Sequence, residues 1–526
     1  MPRMSMGTKM LSRPPLKNDG KCGIMPLITR RETGIMKSAM TKILALLLAS
    51  LMVLPMLAAC GETIENPTPD ESGTANQAVT EEADTEKKPT VAKKDYDEEF
   101  TAIYCVDIFK DGYFFIEEDE IQMGNDLEDK IYERMINVEE YLGVELVAIN
   151  GGSYLEYATP VRTSISAGDD TYQLVMTHVY HEVASLITGN NFRDYNDFLS
   201  INLEADYWNS DLMERLAIND KMYCGYNDFC LANCYMIGFN KDMHKDYESA
   251  IGNLYEQVLN KEWTMEKFVE YSSLVSRDNG DGQWDDKDTY GFSCYAWVPL
   301  ISFQIGCDIP IVKTDADGEF YISPMKDNPD KIVALDELLM DLVHAQSTYK
   351  YVPDSFEGHT TALHLKSGRV LFEMLNSYDM VTTKEEEIKV GVLPYPLWDT
   401  KQDKYLTMSW NGVLCIPTTV RNEDMVGDVM EMLAWYTQPV TTAFYETLLG
   451  SKVADAPEDV EMMNIIWAGQ VSDIGQVFCN SSPQLECLLY ALPHHTTAKM
   501  PAYATYYKTN QRTAERMLNK MFESKE

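Results

Sequence analysis

The segment Arg277–Asp288, RDNGDGQWDDKD, comes closer to a defined chemistry than any other in this chain of 526 residues. A twelve-residue calcium loop needs oxygen ligands at positions one, three, five and twelve, a backbone carbonyl at seven, and glycine at six for the turn. Asn279, Asp281, Gly282, Gln283 and Asp288 stand at positions three, five, six, seven and twelve. Position one is Arg277, a cation where an anion belongs. Asn279, Asp281, Gln283 and Asp288 therefore read either as a structural calcium site or as an acidic turn that binds nothing. Other catalytic spacings fail. His181-Glu182 lacks the second histidine of H-E-x-x-H, because Ser185 stands there, and the chain holds neither G-x-S-x-G nor G-x-x-x-x-G-K-[ST]. His494-His495 follows Pro493 and reads as a solvated turn. A pair of carboxylates for glycoside hydrolysis can always be found among 83 acidic residues, so such a pair decides nothing.

Composition narrows the class. The chain is 45% hydrophobic, 11% aromatic and 24% charged, which is globular, and its length asks for two lobes rather than one core. Formal net charge is −39. Residues 1–60 carry nine Lys/Arg against Asp19 and Glu32, a net of +7, so the remainder stands at −39 − 7 = −46. Such a surface repels phosphate backbones and anionic headgroups, which argues against nucleic acid as a partner. Eleven cysteines include no C-x-x-C, and without Cys22 and Cys60 the nine that remain are an odd number for a disulfide framework. Cys105, Cys294 and Cys415 sit in apolar company and read as small buried hydrophobes.

The N-terminal region speaks to compartment. Lys37 and Lys42 form a basic segment, Ile43–Met56 an apolar one, and Leu57-Ala58-Ala59 precede Cys60. That run is short for a membrane span and fits a cleaved signal over 36–59. The sequence LAAC resembles the lipobox of bacterial lipoproteins, which implies cleavage before Cys60 and its lipidation. Residues 1–35 are expected to precede the true start, at Met36 or Met40. Residues 60–97, rich in Glu, Thr, Pro, Asp and Ala, predict a flexible lipid-anchored tether.

The elements that would position a site follow. Phe100–Phe109 and Gly112–Ile116 are β-rich, with a hairpin signal at Lys110-Asp111-Gly112. Leu127, Ile131, Met135, Val138 and Leu142 mark an amphipathic helix that Gly143 stops, and Val144–Ile149 is a strand. Strand, helix, strand opens a βαβ unit and predicts a parallel sheet. Tyr172–Met176 is a further strand, Thr264 caps a helix, and Val426, Val429, Leu433 and Tyr436 mark another.

Four stretches in order resemble the family-1 extracellular solute-binding proteins, the group that includes maltodextrin-binding proteins. They are SAGDDTYQLVMTH (Ser166–His178), KMYCGYNDFCLANCYMIGFNKDM (Lys221–Met243), LKSGRVLFEMLNSY (Leu365–Tyr378), and GVLPYP (Gly391–Pro396) with MSWNGVLCIP (Met408–Pro417). The resemblance covers roughly residues 100 to 470. It implies an α/β, two-lobed, type II periplasmic-binding-protein-like fold with hinge crossovers and an interlobe cleft. Lobe 1 would hold 98–224 and 407–455, and lobe 2 would hold 225–406 and 456–526. It further implies a monomer without a required cofactor, held to the outer face of a bacterial membrane only by its lipid, passing a saccharide to ABC permease subunits.

Sugars offer hydroxyls at the ring edge and C–H patches on the faces, so their sites combine aromatic planes with Asp, Asn, Glu, Gln or Arg. Near the implied crossovers stand Tyr226, Asn227, Asp228 and Asn233, then Trp410 and Asn411, with Tyr378 where the family motif places an aromatic. Trp208, Tyr295 and Trp297 are further candidates. Asn233 departs from the maltodextrin binders, which carry a carboxylate there. Two other functions fit the same residues: a secreted lipoprotein glycoside hydrolase, and a ligand sensor with no transport role.

Overall fold

The computed structural model describes residues 91–106, 126–180, 182–227, 234–294, 298–345, 348–350, 365, 367–377, 389–409, 412–450, 457–481, 483–489, 491–492, 495 and 502–523. The chain divides into two units, Met1–Thr85 and Glu86–Glu526, and the described residues all belong to the second. The signal segment and Cys60 lie outside them, as does the hairpin expected at 110–112.

Strands in chain order are β1 (Glu98–Tyr104), β2 (Val144–Asn150), β3 (Leu174–His178), β4 (Tyr235–Asn240), β5 (Tyr290–Cys294), β6 (Val312–Thr314), β7 (Phe320–Ile322), β8 (Thr348–Lys350), β9 (Val370–Asn376), β10 (Val390–Leu393), β11 (Thr407–Met408), β12 (Gly412–Cys415) and β13 (Gln470–Val471). One sheet runs β12-β3-β1-β2, with β1 parallel to both β2 and β3, and β12 antiparallel to β3. A second runs β10-β4-β9-β5-β8, with β5 parallel to β8 and β9, and β4 antiparallel to β9 and β10. Each sheet is the centre of a lobe. The chain therefore builds three strands of the first sheet, passes to the second, and returns to place β12 at the edge of the first.

The opening βαβ unit forms as its periodicity predicts. Helix Asp126–Leu142 carries Asp126, Glu128 and Asp129 in its first turn, where carboxylates complement the positive end of the helix dipole. It buries Leu127, Ile131, Met135, Val138 and Leu142. Gly143 ends it at φ +61, a left-handed turn suited to glycine.

The last carbonyls of a helix have no partner within it. Here the chain entering the lobe supplies them: Lys94, Tyr96 and Asp97 donate backbone N–H bonds to Tyr141, Leu142 and Gly143 at 3.2, 2.9 and 2.8 Å. Lys94 Nζ lies 2.6 Å from the buried Asp428 Oδ2, which also accepts Tyr96 Oη at 2.7 Å. Asp428 holds the Lys94 amine above its ordinary range, chiefly through that hydrogen bond. Val91 is buried. Residues 91–97, expected to belong to a tether, are instead fastened to the lobe by backbone pairing and an ion pair.

The second lobe's core centres on aromatics. Phe268 meets Phe292, Phe303 and Phe372 at centroid distances of 5.0, 5.3 and 5.4 Å. Trp263, fully buried, donates Nε1–H to Pro394 O at 2.9 Å. Helix Met265–Val275 starts at Thr264, whose side chain accepts the Lys267 N–H. This helix approaches β5 so closely that a Cβ on Gly291 would fall 1.7 Å from the Ser272 carbonyl oxygen. We expect Gly291→Ala to lower unfolding free energy by about 1–3 kcal/mol or more, since helix and strand must separate. Chemical denaturation measures it, and an unchanged midpoint would contradict this packing.

Candidate functional site

Two sheets joined by passing backbone need those backbone groups satisfied where they are buried. On the outgoing side the described residues are 225–227 and 234–235. Gly225 exchanges both backbone hydrogen bonds with Leu414, at 2.7 and 2.9 Å, and Cys234 forms an antiparallel bridge with Ser409. The return passage therefore runs beside the outgoing one. Gly225 is required: a Cβ there would lie 2.0 Å from Tyr195 Oη, which donates to Leu414 O. A third segment joins at β13, where Thr407 N–H donates to Gly469 O at 2.8 Å and Ser409 N–H to Val471 O at 3.2 Å.

Neutral polar side chains lock the three together. Tyr226 Oη lies 3.2 Å from Ser409 Oγ and donates to Gln470 Oε1 at 3.0 Å, so one phenol links all three passages. Gln476 Nε2 donates to Ser409 O at 3.1 Å. Ser377, just past β9, accepts the Cys234 N–H at its Oγ and donates its own N–H to Cys234 O, both at 3.1 Å.

At the carboxyl end of β3, Tyr180 N–H donates to His178 Nδ1 at 3.0 Å. His178 pairs with Gly412, the first residue of β12. Tyr180 Oη donates to Asn480 Oδ1 at 3.2 Å. In open α/β sheets ligands bind outside the carboxyl ends of the strands. Here those ends, in lobe 1, meet the passage between the lobes.

Asp473 anchors the third segment. Its carboxylate accepts N–H bonds from Ile311 (2.6 Å), Val312 (3.2 Å) and Gly475 (2.7 Å), capping helix Ile474–Phe478 and tying it to the start of the β6–β7 hairpin. Burial pushes the carboxyl up to about 6 from 3.8, against the three N–H donors, which favour the ionised form. A folded-state value raised above the unfolded one makes this group stabilise at low pH and lose that contribution as pH rises through about 6. Relative to Asp473→Asn, the parent protein should lose up to about 3 kcal/mol of stability between about pH 4 and pH 7. Unfolding both proteins at the two pH values tests this, and a constant difference would refute it.

Of the candidates named from the sequence, Tyr226 stands in the junction, and Asn227, next to it, forms an antiparallel bridge with Trp208. Asp228, Asn233, Tyr295, Trp297, Tyr378, Trp410 and Asn411 lie outside the described residues. The chain neighbours of three of them, Cys234, Ser377 and Ser409, are the residues joined above. Trp208 is different. It is 4% exposed, packs edge-on against Tyr195, and donates Nε1–H to the fully buried Glu431 at 2.9 Å. Glu431 also accepts Tyr207 Oη at 2.5 Å and Asn202 N–H at 3.0 Å. Trp208 is thus a core residue of lobe 1, its ring covered and its donor used. Trp208→Phe should cost about 1–3 kcal/mol of stability, by depriving a buried carboxylate of a donor, and leave ligand binding unchanged. Titrating unfolding and binding on the same variant separates the two roles; weakened binding at full stability would return Trp208 to the site.

His495 is no solvated turn. Its Nδ1 lies 2.7 Å from Oδ1 of the buried Asp336, whose Oδ2 accepts the Tyr503 N–H, beside a cavity of about 440 Å³ in lobe 2. In the acidic loop, Asp288 accepts the N–H groups of Asn279 (2.8 Å) and Asp285 (2.6 Å), and Asp278 those of Gly280 and Gly282. The carboxylates of Asp278, Asp281, Asp285 and Asp288 each accept amides of the loop itself. Among the described residues no three His, Cys, Asp or Glu side chains converge to hold a metal ion.

Sequence reasoning missed Ser377, Ser409, Gln470, Gln476, Tyr180 and Asn480. Each is a neutral polar residue; Ser377 and Ser409 lie inside the family-like stretches but are not singled out there, and each takes its role from a partner distant in the chain.

No protein-family model matches the chain, and no curated protein matches it in sequence. Solved structures share its architecture. A cyclo/maltodextrin-binding protein complexed with maltotetraose aligns at TM-score 0.53 and 12% identity, over 84% of this chain and 100% of that one. The cyclic α-maltosyl-1,6-maltose binding protein from Arthrobacter globiformis aligns at 0.53 and 11%, over 81% and 99%. UgpB from Mycobacterium tuberculosis, in complex with glycerophosphocholine, aligns at 0.51 and 14%, over 74% and 94%. At such identities the likeness establishes the fold: two α/β lobes of the type II periplasmic-binding-protein kind.

Proposed function

We propose that this chain is an extracytoplasmic solute-binding protein, lipid-anchored through Cys60, that captures a small polar ligand, a saccharide, for an ABC importer. The observation that carries the reading is the junction between the lobes. Two antiparallel passages and a third strand are locked there by Tyr226, Ser409, Gln470 and Ser377. Asn233, Tyr378 and Trp410 adjoin its bonded residues in sequence. An aromatic plane and amide groups at such a junction suit a sugar's C–H face and hydroxyls. The structural relatives named above include proteins bound to maltotetraose and to glycerophosphocholine, which supports a hydroxyl-rich ligand.

Capture needs no cofactor and no bond-making step, in keeping with a chain that has no recognisable catalytic motif. The high negative charge keeps the body soluble and off anionic headgroups, so contact with the membrane falls to the lipid and to the permease. The captor works as a monomer.

The deciding experiment is a thermal-shift screen of the chain from residue 61 against mono- and oligosaccharides, with amino acids and peptides for comparison. A ligand specific for the folded state adds about 2.7 kcal/mol at one hundred times its dissociation constant, and Tm rises accordingly. A shift with one sugar class and no turnover is the expected result. Consumption of the sugar would make the protein an enzyme, and a shift with peptides alone would remove the saccharide. Trp410→Ala should weaken sugar binding roughly tenfold while leaving the ligand-free Tm nearly unchanged. A large loss of stability instead would place Trp410 in the core.

A further inference from the structure

A ligand seated where the lobe-1 strands end lies along a rim whose layout the strand register fixes. Tyr104, the last residue of β1, pairs with Asn150 at the end of β2 and with Met176 in β3. Two residues past Met176, His178 pairs with Gly412, where the return passage enters β12. The strand order is β12-β3-β1-β2, so three strand spacings, about 14 Å, separate the junction from β2. The inner end of the rim is the junction. Its outer end is the turn that follows β2.

That turn is held by its own bonds. Gly151 N–H donates to Tyr104 O at 2.9 Å and Val106 N–H to Gly152 O at 3.1 Å, which carries the β1–β2 pairing beyond the strands. Gly152 turns the chain at φ +83, and its N–H donates to Asn150 Oδ1 at 2.8 Å. Glu156 Oε2 accepts the Ser153 N–H and Oγ–H at 2.9 and 2.8 Å. Ser153 O in turn accepts the Glu156 and Tyr157 N–H groups, and Tyr157 is wholly buried, which pins the turn to the core. On this frame Leu155 keeps 65% of its surface in water, and Tyr154 is half-buried. The side-chain N–H groups of Asn150 bond none of the described residues.

A single exposed leucine needs no explanation by itself. Here the leucine stands on a fixed turn at the ligand end of the sheet, with a tyrosine and amide donors beside it. We infer that Asn150–Tyr157 is an outer subsite that makes the protein prefer a saccharide longer than a disaccharide. Leu155 and Tyr154 take the C–H face of a distal unit, and the Asn150 amide donates to one of its hydroxyls. This rests on reading the junction as the capture site. A short sugar fills the inner end of the rim alone, whereas a longer one reaches the turn. Because the turn is already ordered, the added contact costs little conformational entropy.

The test titrates the chain from residue 61 with the disaccharides and tetrasaccharides of the maltose, cellulose, xylan and mannan series. Leu155→Ser and Asn150→Asp are titrated beside the parent; the aspartate keeps the acceptor for Gly152 and removes the donors. The parent should bind the tetrasaccharide of one series about tenfold or more tighter than its disaccharide. Leu155→Ser should weaken the tetrasaccharide about three- to tenfold, and Asn150→Asp about two- to tenfold, with disaccharide affinity and Tm held. A merely structural role for the turn would lower Tm and weaken both lengths alike. Equal affinity of the parent for both lengths, or an unchanged tetrasaccharide affinity in Leu155→Ser, overturns the subsite and leaves the saccharide reading standing. Should Asn150→Asp fail to fold by circular dichroism, Leu155→Ser decides alone. A parent that binds none of these sugars also overturns the subsite, and the wider thermal-shift screen then decides the saccharide reading separately.

Discussion

The phenol of Tyr226 is where the parts of this molecule meet. It stands on the outgoing passage, contacts Ser409 on the return passage and donates to Gln470 on the third segment. Three segments crossing a largely buried seam carry N–H and C=O groups that need partners. Pairing among themselves and with Ser, Gln and Tyr side chains satisfies them, and the cost of leaving one unpaired makes the arrangement selective. Neutral partners suit this seam because a charge would bring a far larger desolvation penalty. The two sheets can then hold separate cores and share one joint.

Asp473 is the buried carboxylate beside the seam, held by three N–H groups, and other buried charged groups in the lobes also gather partners. Glu431 collects Tyr207, Trp208 and the Asn202 amide inside lobe 1, and Asp428 collects Lys94 and Tyr96 at the entry of the chain. In lobe 2, Asp459 meets Lys241 Nζ and Tyr255 Oη, each at 2.5 Å. These clusters stiffen the lobes internally.

The six free cysteines that the structure describes are all buried. Burial pushes the Cys307 thiol up to about 12, and the Cys234 and Cys479 thiols higher still. Thiols of that kind are unreactive, and they pack as small apolar side chains. The stability of the described body therefore comes from its cores, its strand ladders and its buried polar clusters.

Much of the fold was legible in the sequence because the signals are local. The steps from Leu127 to Leu142 describe a helix face, Thr264 a helix start, and Val144–Ile149 a strand, and each forms where its spacing predicts. The apolar environment of Cys105 and Cys415 foretold their burial. What the sequence alone could not decide was which polar residue meets which. Trp208 reads as a sugar platform until Glu431, 223 residues away, claims its N–H. His495 reads as a turn until Asp336, 159 residues earlier, binds it. Nothing local in the sequence marks Ser409 or Gln476 for burial, and the crossing of the chain buries them. Periodicity and capping are set by neighbours within a turn or two, so residue order determines them. Partnership across hundreds of residues follows from how two sheets pack and join, and only the tertiary structure decided it.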